Sequence, residues 1–142
     1  MVCTFFGHRD CYGLEADVLR RAIEAQIEAG VDTFYVGHQG HFDAMVLDCL
    51  KALRETYPHI RVWVVLAYRP TERTDYDEDS LYPEEVALGP PRFAIDRRNR
   101  WMLENADRCL CFVEHPWGGE YKYMGQAEKK GLTVIRLGKN DG

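Results

Sequence analysis

The chain has 142 residues, enough for one domain with its own core, and 46% hydrophobic with 29% charged residues is ordinary globular composition, which excludes a disordered or fibrous protein. The formal net charge of -5 excludes broad electrostatic capture of DNA or RNA, which depends on clustered lysine and arginine; no nucleic-acid polymer is expected as a partner. Residues 1–6 have no basic segment and are too short for a secretory apolar stretch, and no later apolar run approaches the roughly 18 residues of a membrane span, so a soluble cytoplasmic protein without membrane contact is expected.

In chain order, residues 2–6 are a short apolar run that reads as a buried parallel strand. A helical pattern over 14–29 follows, with Val18, Leu19, Ala22, Ile23 and Ile27 on one stripe and Gly30 where a left-handed residue would end the helix. Residues 33–36 are the second strand candidate. Phe42, Met45, Val46, Cys49, Leu50 and Leu53 then step by three and four, the spacing of an amphipathic helix that covers one sheet face. After a third strand at 60–67 the rhythm breaks. Between Glu72 and Glu85 seven acidic residues stand with one arginine and no strand or helix period, so 72–92 is expected to be a flexible loop or lid. A helix begins near Ala94 with Ile95, Met102 and Ala106 inward; Arg97 and Arg100 are expected to face solvent. A strand at 109–113, a helix from about Tyr121, and a mostly β-branched strand at 133–137, also read as buried, complete the chain.

This alternation, with no repeat and no second boundary, predicts one doubly wound α/β domain: a mainly parallel five-stranded sheet with right-handed crossovers and helices on both faces. The five cysteines, an odd number, read as reduced structural thiols.

In open α/β sheets ligands bind beyond the carboxyl ends of the strands, where this sequence is polar and rich in glycine. After the first strand, Gly7 permits a tight turn, and His8 and Arg9 lead into a helix start where backbone amides meet anions and Arg9 adds a charge-assisted contact; a plain turn with a solvated arginine is the competing reading. After the second strand, Gly37 and Gly40 let a ligand approach the backbone, and free amides of the next helix would point at it. Asp43 reads either as a ligand for a sugar hydroxyl or as a helix-start aspartate. His8, His38, His41 and Asp43 can be assembled on paper into a metal site, but no HExxH or paired-cysteine spacing supports it, and neither metal nor cofactor is expected.

Arg98 and Asn99 interrupt the core-facing row between Ile95 and Met102. A buried unpaired guanidinium costs several kcal/mol, so Arg98 must find a carboxylate, a backbone cluster or a bound anion. The fourth strand ends in Glu114-His115-Pro116-Trp117-Gly118-Gly119-Glu120. Gly118 and Gly119 suit backbone recognition of phosphate or ribose, and Trp117 reads equally as a stacking surface or a packed loop aromatic.

Phe6-Gly7-His8-Arg9, Gly37-x-x-Gly40-x-x-Asp43, Arg98-Asn99-x-x-Met102, Ala106-Asp107 and Gly118-Gly119, in this order, resemble the SLOG superfamily, and within it the YspA and YoqJ-like branch, over nearly the whole chain. The resemblance implies a Rossmann-like fold that binds a nucleotide or nucleotide-derived small molecule through Gly7, His8, Arg9, Gly37, Gly40, Asp43, Arg98, Asn99, Gly118 and Gly119, with self-association into a homo-oligomer as a further expectation. Some members, the Lonely Guy enzymes, hydrolyse the N-glycosidic bond of nucleoside 5′-monophosphates, and Arg98 matches an arginine of their active site. Those enzymes follow their paired glycines with Gly-Thr and a downstream glutamate; here Gly125 stands about where the acid should be. Glu120 is then, with Arg98, the candidate catalytic pair. Three functions follow: a sensor or sequestering module for a nucleotide-type ligand, which is preferred; a nucleoside-monophosphate N-glycosidase; and a protein-interaction domain.

Overall fold

The computed structural model describes residues 1–70 and 79–138. The apolar run at the start becomes β1 (Val2–Gly7), and the first amphipathic pattern becomes α1 (Ala16–Glu28). α1 ends as its glycine dictates: Gly30 has φ 110°, and its amide and that of Val31 close back on the carbonyls of Ile27 and Gln26 at 3.0 and 2.9 Å. Then follow β2 (Thr33–Val36), α2 (Gly40–Thr56), β3 (Arg61–Val65), β4 (Asp79–Leu81), α3 (Glu84–Ala87), a 3-10 turn (Pro91–Phe93), α4 (Ala94–Glu104), β5 (Arg108–Phe112), α5 (Gly119–Lys129) and β6 (Thr133–Leu137).

The strands form one sheet in the order β4-β3-β2-β1-β5-β6, and every pair is parallel. The side chains divide by face. Cys3, Phe5, Phe34, Val36, Val62, Leu110 and Phe112 pack beneath α1 and α2 with Leu19, Ile23, Phe42, Val46 and Leu50. Phe6, Val65, Cys109, Cys111 and Val113 pack beneath α4 and α5 with Met102, Leu103, Met124 and Ala127. This is the doubly wound α/β arrangement with helices on both faces. The chain leaves β1 toward β2 on one side and later reaches β5 on the other, so the order reverses at β1, where such sheets open a crevice beyond their carboxyl ends.

Four expectations need correction. The sheet has six strands, not five, because Asp79–Leu81 pairs with β3 through Trp63↔Asp79, Val64↔Ser80 and Val65↔Leu81, extended by the Leu66 amide donating to the Leu81 carbonyl at 2.8 Å. Backbone pairing joins this edge strand to the sheet, so its exposed polar side chains carry no strand period. Second, the rest of the segment expected as a loop or lid carries α3 and the 3-10 turn, while residues 71–78 lie outside the described ones. Third, Arg97 does not simply face solvent: its guanidinium donates to the carbonyls of Val86, Gly89 and Pro90 at 2.9, 3.3 and 2.7 Å and ties that segment to α4. Fourth, β6 is the other edge of the sheet and only partly buried, because among the described residues no strand pairs beyond it. No helix among the described residues is long and apolar enough to cross a membrane. All five cysteines are free and buried; Cys109 and Cys111, two apart on β5, bring their Sγ atoms to 3.2 Å on one face.

Candidate functional site

A crevice of about 160 Å³ opens at the carboxyl ends of β1 and β2, between the start of α2 and the inner faces of α4 and α5. Gly7 and Arg9 from the end of β1, Gly37, Gln39 and Asp43 from the β2–α2 junction, Arg98 and Asn99 from α4, and Glu120 from α5 line it, over a floor that includes Phe5, Phe6 and Met102. Segments more than a hundred residues apart in sequence thus meet at one point.

Arg98 is 2% exposed and Asn99 6%. Helical spacing from Ile95 and Met102 turns both inward over the end of β3, where the Arg98 Nε donates to Asn99 Oδ1 at 2.8 Å and Nη1 reaches the Val65 carbonyl at 3.3 Å. Among the described residues no carboxylate oxygen comes within 4.0 Å of this guanidinium; the salt bridges of α4 lie elsewhere, between Asp96 and Arg100 or Lys122 and between Glu104 and Lys130. Burial works against the Arg98 charge, and Asp43, then Tyr123, Tyr68 and Glu120, support it from further off. Arginine does not surrender its proton in proteins, so the crevice wall holds a cation with five donors, of which these two bonds use two.

Asp43 faces Arg98 across Gly37. A Cβ on Gly37 would lie 2.9 Å from Arg98 Nη1 and 3.0 Å from Asp43 Oδ2, so only glycine lets the backbone pass beneath both groups. Asp43 also caps its own helix, its Oδ2 accepting the Gln39 amide at 2.8 Å. Burial raises its pKa from the usual 3.8 to about 6, against the lowering effects of the Gln39 bond and Arg98. Asp43 is thus a helix-start aspartate that also forms part of the crevice wall.

The other candidates divide. Gly7 and Arg9 line the crevice, although the reason for glycine at 7 is packing, since a Cβ there would sit 2.4 Å from the buried Phe42 ring. Gly40 has φ 87° and lies against Arg9, whose carbonyl accepts the His41 amide at 3.2 Å. At the start of α2, Arg9 and Asp43 thus occupy the amides of His41 and Gln39. Glu120 lines the crevice, while Gly118, φ 95°, and Gly119 turn the chain into α5 just outside it. His8 turns toward β5, where its Nε2 accepts the Glu114 amide at 2.9 Å, and burial, then the neighbouring His115, hold it below the usual histidine range. No cluster of three or more His, Cys, Asp or Glu residues arranged to hold a metal ion occurs among the described residues.

Nothing in the sequence around Gln39 distinguishes it from any helix-preceding polar residue. Its place follows only from the β2–α2 turn. The network outside the crevice was equally silent: Asp96 accepts the Tyr123 hydroxyl and pairs with Arg100 at 3.0 Å and Lys122 at 3.5 Å, fastening α4 to α5. No protein-family profile and no curated protein matches the chain.

Proposed function

We propose that the crevice binds a nucleotide or nucleotide-derived small molecule, which the protein senses or sequesters, as the SLOG resemblance implies. The observation that carries this reading is Arg98: a nearly fully buried guanidinium on the wall of a strand-end crevice, with no carboxylate in ion-pair reach among the described residues. A phosphate or ribose oxygen in the crevice would supply the charge-assisted bonds that the fold does not. Arg9 at the rim adds a second cation.

One observation favours N-glycosidic hydrolysis as a second reading. Asp43, with its pKa at about 6, and Glu120 share the crevice with Arg98, so a proton donor or acceptor suited to neutral pH stands beside the group that would position the phosphoribosyl moiety. In that reaction one carboxyl group would protonate the departing base and the other would take a proton from the attacking water, giving free base and ribose 5-phosphate.

The test is a thermal-shift screen against nucleoside monophosphates, cyclic nucleotides, ADP-ribose derivatives and dinucleotides, with each mixture then resolved by chromatography. Binding to the folded state alone raises the midpoint by mass action. A shift with the ligand recovered intact supports sensing or sequestration; release of free base, lost in Asp43→Asn or Glu120→Gln, supports hydrolysis. A folded chain that shifts with nothing in the panel would remove both readings and leave the protein-interaction alternative.

A further inference from the structure

The fold also holds a column of rings that the nucleotide reading does not use. The His8 ring meets Phe112 edge-on at 6.3 Å and stacks on His115 at 4.0 Å, with 22° between planes; His115 stacks in turn on Trp117 at 4.2 Å and 17°. The column is fixed at each level. Phe112 is buried in the sheet, His8 is held by the Glu114 amide, and His115 Nδ1 lies 2.9 Å from the Trp117 carbonyl. At its outer end Trp117 is 64% exposed.

Folding gives little reason for this arrangement, since a tryptophan that leaves most of its surface in water recovers little hydrophobic free energy from being ordered. Along the chain, however, the column neighbours the lining of the crevice. His8 stands between Gly7 and Arg9, and Trp117 three residues before Glu120, all of which except His8 and Trp117 line it. The crevice volume of about 160 Å³ is below the roughly 300–1,000 Å³ of pockets that enclose a whole drug-sized ligand, so a nucleotide seated at Arg98 by its sugar and phosphate would extend beyond it.

We infer that the outer face of Trp117 is the platform on which the base of that nucleotide stacks, the column holding the indole ready for it. This rests on the reading of the crevice as a nucleotide site. Stacking engages the π face that every base has, so the platform accepts any of the four common bases and favours the larger purines. Specificity by hydrogen bonding to the base edge is not implied.

The test is calorimetric titration of the full chain with AMP, GMP, CMP, UMP and ribose 5-phosphate, for wild type, Trp117→Ala and Trp117→Phe, with each variant's thermal midpoint measured alongside. Trp117→Ala is expected to weaken nucleotide binding about tenfold or more while leaving ribose 5-phosphate unchanged, and Trp117→Phe to keep most of the affinity. Nucleotides should also quench a component of the tryptophan emission that Trp117→Phe removes. Equal nucleotide affinity in wild type and Trp117→Ala overturns the platform alone, as does an equal loss for nucleotide and ribose 5-phosphate, which would show that Trp117 merely positions the start of α5. If wild type binds none of the five compounds, the platform for a mononucleotide base is overturned, and the nucleotide reading itself falls only if the wider panel also produces no shift.

Discussion

Asp43→Asn should stabilise the protein at neutral pH, an unusual outcome for removing a charge that lies near an arginine. Burial lifts the Asp43 pKa from 3.8 to about 6, so the folded protein binds this proton more tightly than the unfolded chain does. The stabilisation from protonation is fully present below pH 3.8 and is lost as pH rises through 6. At pH 7 the ionised carboxylate therefore costs the fold up to about 3 kcal/mol, at roughly 1.4 kcal/mol per unit of displacement, and residual solvent contact makes that figure a ceiling. Asparagine keeps an oxygen to accept the Gln39 amide and carries no charge, so it mimics the protonated aspartate at every pH. Urea unfolding of wild type and variant, followed by circular dichroism at pH 7 and pH 4, measures the difference directly. Comparing the two proteins cancels the opposite trend from Asp17, Asp32 and Asp96, whose pKa values are lowered in the fold. Asp43→Asn should be more stable at pH 7 by one to about three kcal/mol, with the gap closing toward pH 4. A variant less stable than wild type at pH 7, or a gap independent of pH, would refute the reasoning and make Asp43 chiefly a partner that Arg98 needs.

Three glycines separate packing from function. Gly37→Ala places a Cβ 2.9 Å from Arg98 Nη1 and should displace the guanidinium, weakening AMP binding by calorimetry at least tenfold with a modest change in urea midpoint. Gly7→Ala sets a Cβ 2.4 Å from the Phe42 ring and should cost about 1–3 kcal/mol in urea unfolding, since that ring is enclosed and cannot yield freely. Gly125→Ala, inside α5 with nothing within 4 Å of the added carbon, should raise stability by about 0.5–1 kcal/mol and leave ligand binding unchanged.

The layers of the fold were legible because burial writes itself into spacing. The steps of three and four from Phe42 to Leu53 are the buried face of α2, and the polar pair at 98 and 99 stood out because it broke such a row on α4. β4 left no mark of that kind: Asp79 and Ser80 are exposed and join the sheet through backbone groups common to all residues. β6 looked buried because β-branched residues suit an edge as well as a centre. Within the site, spacing showed which residues stand near strand ends but not how they meet. That His8 would turn to His115 rather than into the crevice depends on β1 lying beside β5, with Gly7 opposite Phe112, and sheet adjacency has no local sequence signal. The capture of the His41 amide by the Arg9 carbonyl likewise depends on two loops meeting across the sheet edge.

The central claim is that Arg98 awaits an anionic ligand, and the most direct measurement is the thermal midpoint of wild type and Arg98→Met with AMP and with ribose 5-phosphate. Methionine fills much of the buried volume without a charge, so the variant should fold. Ligand at a hundred times its Kd stabilises the folded state by about 2.7 kcal/mol, which for a chain of this size raises the midpoint by about 5 °C or more. That rise is expected in wild type and should vanish in a folded Arg98→Met. A rise of equal size in both proteins, or none in wild type with either compound, would contradict the account.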